Sequence, residues 1–196
     1  MVNIKDFGYF LILILISISL NVFGQYSNRY KEGYIIDKYG AKYSGLIKIT
    51  EGVNEDPDYL IFKESEKADK VRLDKEKLRS FVIEKDSFVV VNKYKIPKKK
   101  TILDGFAKAL LKTPNASLCE LIQRKRVVSP SSDAYDYDKD YYFIVRDRIF
   151  TLLNSYNFKS EMSAVVEDDV ALMKRIDSGE LKLSDLGQII ELYHSK

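Results

Sequence analysis

The chain has 196 residues, a formal net charge of +3 and a hydrophobic fraction of 45%. These values are typical of a globular protein and exclude a disordered or fibrous one, and the length suits a single domain. One cysteine and one histidine, Cys119 and His194, exclude an internal disulfide and a cysteine-pair zinc motif. No glycine-rich phosphate loop or serine nucleophile motif is present, and no cofactor is expected.

Residues 1–24 have the layout of a secretory signal peptide. Lys5 lies in a short polar start, an apolar run extends from Phe7 to Leu20, and Val22-Phe23-Gly24 precedes an expected cleavage before Gln25. A retained membrane anchor is the alternative, because the apolar run approaches the shortest length that spans a bilayer. We expect export across the inner membrane, to a periplasmic or outer-membrane-associated location, with residues 25–196 forming one domain.

Residues 25–155 are predicted to be rich in β-strands. The stretch "KEGYIIDKYGAKYSGLIKI" predicts a hairpin whose turn ends at Gly40, and Gly45 in its second strand indicates a bulge or a close backbone contact. A second hairpin joins Phe81–Ile83 to Phe88–Val91, because β-branched residues dominate both arms.

Residues 104–123 fit either a helix or a hairpin. Their composition allows a helix, but Pro114-Asn115 is a turn signal between two apolar runs of strand length, which favours the hairpin. A further hairpin is predicted in "DYYFIVRDRIFTLLN", with Arg146-Asp147-Arg148 at its tip.

Residues 156–196 are predicted to be helical. Apolar side chains recur there at helical spacing, at Met162, Val165, Val166, Val170, Met173 and Ile176. Asp168-Asp169 is expected to cap a second helix that ends at Gly179, and Ser184 to cap a last helix. The sequence therefore predicts an α+β fold, an N-terminal, mostly antiparallel β-sheet of short strands and hairpins followed by two or three C-terminal helices.

Several of these stretches resemble a large, uncharacterised family of exported proteins common in Bacteroidota. The resemblance lies in "GYIIDKYGAKYSGLIKI", "DPDYLIFK", "LRSFVIEKDSFVVV" and the C-terminal helices, and "ASLCELI" is similar to a family strand in which tyrosine is usual at the position of Cys119. The chain departs from the family pattern at Ala41-Lys42, where Asp-Thr is frequent. The resemblance implies export and a shared fold, and it implies no activity.

An acidic cluster lies in "DAYDYDKDYY", residues Asp133 to Tyr142. Asp136, Asp138 and Asp140 alternate, and Asp147 falls at the twelfth position from the first of them, as in calcium-binding loops. Tyr141 stands where such a loop requires glycine. The three aspartates are therefore weak metal candidates, and the solvated start of a strand is the alternative.

A basic segment precedes this cluster. Between Lys63 and Lys100, thirteen lysines and arginines face seven acidic residues. Its strongest concentration is the basic patch of Lys93, Lys95, Lys98, Lys99 and Lys100. This patch could meet an anionic membrane surface or an acidic polysaccharide, or it could keep an edge strand from pairing with other chains. Nucleic acid is not an expected partner, because no binding motif is present.

These features favour a non-catalytic binding or structural module of the cell envelope that recognises another protein or a glycan. Tyrosine suits such contacts because its ring is large and stiff and carries a hydroxyl. The candidate contact residues are Tyr39, Tyr135 and Tyr137. The alternative is a small envelope hydrolase or a calcium-binding protein that uses the Asp133–Asp140 cluster.

Cys119 lies in a stretch where apolar residues alternate, and it is predicted to be a buried small side chain rather than a nucleophile.

Overall fold

The computed structural model describes residues 29–49, 59–128 and 134–195, and within strands it describes no side chain from 122 to 139. The predicted signal peptide, residues 1–24, lies outside the described residues. In the described ranges, ten strands form one antiparallel sheet and three helices follow it. The predicted α+β class is therefore confirmed.

The strands are β1 (Lys31–Asp37), β2 (Lys42–Ile49), β3 (Tyr59–Lys63), β4 (Val71–Asp74), β5 (Leu78–Ile83), β6 (Asp86–Lys95), β7 (Ile102–Lys112), β8 (Ser117–Val128), β9 (Ala134–Arg146) and β10 (Ile149–Leu152). Their order in the sheet is β10-β9-β8-β7-β6-β5-β1-β2-β3-β4. The sheet thus consists of two meanders, β1 to β4 and β5 to β10, which are joined because β5 pairs with β1. Strands β4 and β10 form the two edges of the sheet. Strands β6 to β9 have 10 to 13 residues, so they are longer than predicted.

The ambiguous stretch 104–123 is a hairpin, as favoured, and the helix alternative is wrong. Ala109 pairs with Cys119, and the chain reverses between Thr113 and Ala116, where the Thr113 N–H donates to the Ala116 carbonyl at 2.9 Å. β7 lies between β6 and β8, so its backbone groups are bonded on both sides.

The first hairpin follows its prediction. Gly40 has φ +96° in the turn between β1 and β2, a conformation that glycine adopts without cost. Gly45 makes the expected close backbone contact, because a Cβ atom there would lie 2.2 Å from the Lys63 carbonyl oxygen.

The turn between β9 and β10 has two residues rather than the predicted three. Asp147 has φ 45° and Arg148 has φ 73°, and Arg146 pairs with Ile149 on either side. Two positive φ angles in a two-residue loop define a type I′ turn, whose favoured sequence ends in glycine.

We therefore expect Arg148→Gly to raise the free energy of unfolding by about 0.5–1 kcal/mol, because it relieves a left-handed conformation that costs an L-residue more than the added unfolded-state entropy of glycine. Urea denaturation measures this gain. Arg148→Ala is the matched control and should show no gain, since alanine keeps the Cβ atom. Equal stabilisation by both substitutions would show that backbone strain is not the cause.

Among the described residues, three apolar clusters hold the sheet and helices together. One lies on a single face of β1 to β7 and is centred on Phe81, whose ring stacks on Phe88 at 4.7 Å and meets Phe106 edge-on at 5.0 Å. A second lies on the opposite face, since Val91 belongs to it while neighbouring Val90 belongs to the first. The third joins the helices to β7, β8 and β9.

The helices are α1 (Phe158–Val165), α2 (Val170–Ser178) and α3 (Leu186–His194). As predicted, the Asp169 carboxylate caps α2 by accepting the Leu172 N–H at 3.0 Å, and Gly179 ends it with φ 81°. The predicted Ser184 cap is wrong. Ser184 lies inside a 3₁₀ turn before α3, and the carboxylate of Asp185 accepts the Lys182 N–H at 2.8 Å instead. Among the described helices, none has the length and hydrophobicity needed to cross a membrane.

Candidate functional site

An open cleft of about 660 Å³ lies at the end of the sheet where the β1–β2 and β3–β4 turns meet. We call it the tyrosine cleft. Its floor consists of core side chains, Ile35, Phe62 and Leu78, which are buried. Its mouth carries Tyr39 and Tyr43, with Tyr39 83% exposed and Tyr43 46% exposed. Large aromatic side chains at this exposure over an apolar floor are typical of a surface that binds something.

The β1–β2 turn holds Tyr39 in place through its own hydrogen bonds. The Asp37 carboxylate oxygen Oδ1 accepts the N–H groups of Tyr39 at 2.9 Å and Ala41 at 2.8 Å. The Lys38 N–H donates to the Lys77 carbonyl at 3.0 Å, which ties the turn to the residue before β5. The exposed ring therefore sits on a fixed backbone, and a fixed group loses less entropy when it binds a ligand.

The rim of the cleft carries charges of both signs. Lys38 and Lys77 supply ammonium donors, and Glu64 and Asp69 supply carboxylate acceptors. Within the described ranges, Glu64 and Asp69 make no hydrogen bond or ion pair. Both carboxylates are exposed, so a ligand in the cleft can reach their oxygens.

The other two predicted contact tyrosines lie elsewhere in the sheet. Tyr135 and Tyr137 belong to β9, where they pair with Val127 and Lys125. Four strands separate β9 from β1 in the sheet order, so neighbouring strands do not bring them to Tyr39. Their side chains lie outside the described part of the chain, and their role in binding stays a prediction.

The aspartates of the acidic cluster also lie in β9. Asp136, Asp138 and Asp140 pair with Arg126, Arg124 and Ile122 in a continuous antiparallel register. The three aspartates therefore lie in a strand, which was the predicted alternative to a calcium-binding loop. Among the described residues, no group of three or more potential metal ligands is close enough to hold an ion. Metal binding by these aspartates stays a prediction.

The basic patch lies at the end of the β6–β7 hairpin. Lys93 and Lys95 are in β6, Lys98, Lys99 and Lys100 form the turn, and all five are exposed. Protection of an edge strand, one of the predicted explanations, is wrong because β6 lies between β5 and β7 inside the sheet.

A row of polar side chains that was not predicted crosses strands β6 to β9. Lys108, Glu120 and Tyr142 are direct partners on β7, β8 and β9, and the Lys108 ammonium lies 3.2 Å from Asp86 Oδ2. Burial raises the pKa of Glu120 although a hydrogen bond from Tyr142 opposes the shift, and burial together with the Glu120 carboxylate raises the pKa of Tyr142. Each member faces a polar partner in the row, so we interpret it as structural.

Only part of the signal for this row was present in the sequence. Lys108 interrupts "GFAKALL" and Glu120 interrupts "SLCELI", both at positions that alternate with buried residues. A lysine and a glutamate on neighbouring strands stabilise each other where the strand register makes them direct partners, and that register follows from the fold. Cys119, on the opposite face, is buried as predicted, and burial raises its pKa to about 12.

Comparison of the chain with protein-family models, curated proteins and solved structures gives no match. The resemblance to the exported family of Bacteroidota therefore stays a prediction. The interpretation of the tyrosine cleft depends on its own geometry and chemistry.

Proposed function

We propose that the chain is an exported, non-catalytic module of the cell envelope that binds a saccharide in the tyrosine cleft. The observation that carries this proposal is Tyr39, whose ring is 83% exposed on a hydrogen-bonded turn above an apolar floor. Apart from the Lys38 ammonium, which lies 4.9 Å from the centroid of its ring, this side chain neither packs in the core nor caps an element, so its exposed ring surface can contact a ligand.

The shape of the cleft supports a small ligand. Its volume of about 660 Å³ lies inside the range of about 300–1,000 Å³ that is usual for small-molecule sites. A concave site of this size fits one or two sugar rings. A flat protein surface would leave its floor, at Ile35 and Phe62, without contact.

The chemistry of the lining supports a neutral polyhydroxylated ligand. The C–H face of a sugar ring is apolar and packs against a tyrosine ring, while its hydroxyls both donate and accept hydrogen bonds. Glu64 and Asp69 accept such bonds, and Lys38 and Lys77 donate them. Because the rim combines both signs, a strongly charged ligand would meet repulsion on one side.

The hydrolase alternative uses the Asp133–Asp140 cluster, of which the structure describes one side chain, Asp140, so it stays a prediction. The described carboxyl group with a raised pKa is Glu120, which bonds to Tyr142 in the polar row and does not line the tyrosine cleft. Perturbed carboxyl groups are expected inside a catalytic cleft, where they act as proton donors. We therefore propose binding without turnover.

The proposal predicts that Tyr39→Ala and Tyr43→Ala each weaken saccharide binding about tenfold, because each removes a ring that packs on the sugar. The wild-type chain is first screened on an array of neutral and acidic oligosaccharides, and the strongest neutral binder is titrated calorimetrically. Tyr39→Phe should bind within about threefold of wild type, since the ring remains.

Tyr156→Ala is the matched control, because Tyr156 is fully exposed in the turn before α1 and does not line the cleft. Thermal unfolding should be unchanged in all four variants. Failure of every array saccharide to bind would overturn the proposal, as would equal loss of affinity in Tyr156→Ala. A cross-linked protein partner that requires Tyr39 would replace the saccharide as ligand.

A further inference from the structure

The β6–β7 turn presents a concentrated positive charge on a defined backbone. We call Lys93, Lys95, Lys98, Lys99 and Lys100 the lysine turn. Buried Ile96 anchors it, because the Ile96 N–H donates to the Thr101 carbonyl at 3.2 Å and the Ile96 carbonyl accepts the Lys99 N–H at 3.1 Å. Lys98 adopts φ 61° within this turn. Three consecutive lysines are thereby held at the end of one hairpin.

The charge of the lysine turn is not neutralised within the described ranges, where none of its five ammonium groups forms an ion pair. Asp104, an acidic side chain of the same hairpin, forms its ion pair with a lysine outside the turn. Its Oδ2 lies 2.7 Å from the Lys75 ammonium, and its Oδ1 accepts the backbone N–H of Lys93 at 3.2 Å. The five lysine side chains are therefore exposed at the end of one hairpin, with charges that are unpaired among the described residues.

The composition of the lysine turn favours a diffuse anionic surface over a single bound anion. It contains lysines and no arginine, and lysine is a hydrated point charge, whereas arginine is the residue that binds an individual phosphate in bidentate geometry. Ile102, next to the turn in sequence, is 53% exposed. Lysines beside an exposed apolar side chain match a bilayer surface, where charged headgroups lie above acyl chains.

We propose that the lysine turn docks this protein on an anionic phospholipid membrane. Anionic headgroups attract each nearby lysine strongly enough to raise membrane binding about fivefold, and the attraction falls off within a Debye length. This docking does not depend on the tyrosine cleft, so a saccharide-binding defect would leave it intact.

The test is co-sedimentation of the full chain with vesicles made of equal parts phosphatidylcholine and phosphatidylglycerol. We expect binding at low salt that is lost at high salt. The triple variant Lys98→Gln, Lys99→Gln and Lys100→Gln should bind about 100-fold more weakly. Vesicles of phosphatidylcholine alone report any binding by the N-terminal apolar run, and that background is subtracted.

The matched control changes three exposed lysines outside the turn, Lys67→Gln, Lys70→Gln and Lys174→Gln, and so has the same net charge. It should bind like wild type. Equal loss in both triple variants would overturn the proposal, because net charge alone would then explain binding. Failure of the wild-type chain to sediment would overturn it as well.

Ile102→Ser separates a lipid surface from other polyanions. It should weaken vesicle binding severalfold and leave binding to a soluble acidic polysaccharide unchanged, while Ile149→Ser, at an exposed isoleucine in β10, should change neither. Competition by inorganic phosphate, or stronger binding to the polysaccharide than to vesicles, would reject the membrane as partner.

Discussion

Phe81→Ala is expected to lower the free energy of unfolding by about 4 kcal/mol, the largest effect predicted for a single substitution in this protein. Phe81 has no exposed surface, and its ring contacts both Phe88 and Phe106. Phe81 lies on β5, which joins the two meanders, and the strands around it are hydrogen-bonded on both sides. These strands therefore have little freedom to collapse into the cavity that the substitution would leave.

Urea denaturation followed by circular dichroism measures this loss. Phe81→Leu keeps part of the volume and should cost about 1–2 kcal/mol. Tyr156→Ala, at a fully exposed position, should cost less than about 0.5 kcal/mol. A loss below about 1 kcal/mol for Phe81→Ala would contradict the packing of Phe81 against Phe88 and Phe106.

Local features of this fold could be predicted because each depends on a few neighbouring residues. Gly40 indicated the first turn, Pro114-Asn115 indicated the reversal between β7 and β8, and Asp169 with Gly179 marked both ends of α2. In each case a side chain or a glycine fixes the conformation or the hydrogen bonds of the backbone only a few residues away. A short stretch of sequence therefore contains all the information that predicts the turn or the helix end.

The tyrosine cleft could be predicted only in part, because it depends on pairing between distant segments. Tyr39 was identified from its turn. The floor beneath it forms only because β5 returns to β1 and places Leu78 and Lys77 beside that turn, and no short window of sequence specifies this pairing. The contributions of Phe62 and Val71 depend likewise on how β3 and β4 extend the sheet.

The polar row escaped prediction for the same reason. Asp86, Lys108 and Glu120 are far apart in sequence, and each has an ordinary position within its own strand. Their contacts follow from the register of the strands, which places Lys108 opposite Glu120 and within ion-pair distance of Asp86. Half-buried charges of this kind are costly unless they are paired, so the pairing becomes visible only in three dimensions.

Asp86→Ala is expected to lower the free energy of unfolding by about 2–3 kcal/mol, the second largest effect. The Lys108 and Asp86 side chains are only 14% and 16% exposed, so removing the carboxylate leaves the Lys108 ammonium poorly hydrated and without its ion pair. A buried pair that loses one partner typically costs about 3–5 kcal/mol, and residual solvent contact reduces this value. Urea denaturation at neutral pH measures the change.

The double variant Asp86→Ala and Lys108→Met tests the cause. It should recover part of the lost stability, because an apolar side chain of similar length has no charge to desolvate, while the Glu120 carboxylate loses the attraction of the Lys108 ammonium. Glu180→Ala is the matched control, since the Arg175–Glu180 pair has similar geometry at 2.7 Å but side chains that are 35% and 57% exposed, and it should cost less than about 0.5 kcal/mol. If the double variant is no more stable than Asp86→Ala, the loss comes from the β5–β6 turn that Asp86 closes rather than from the unpaired lysine.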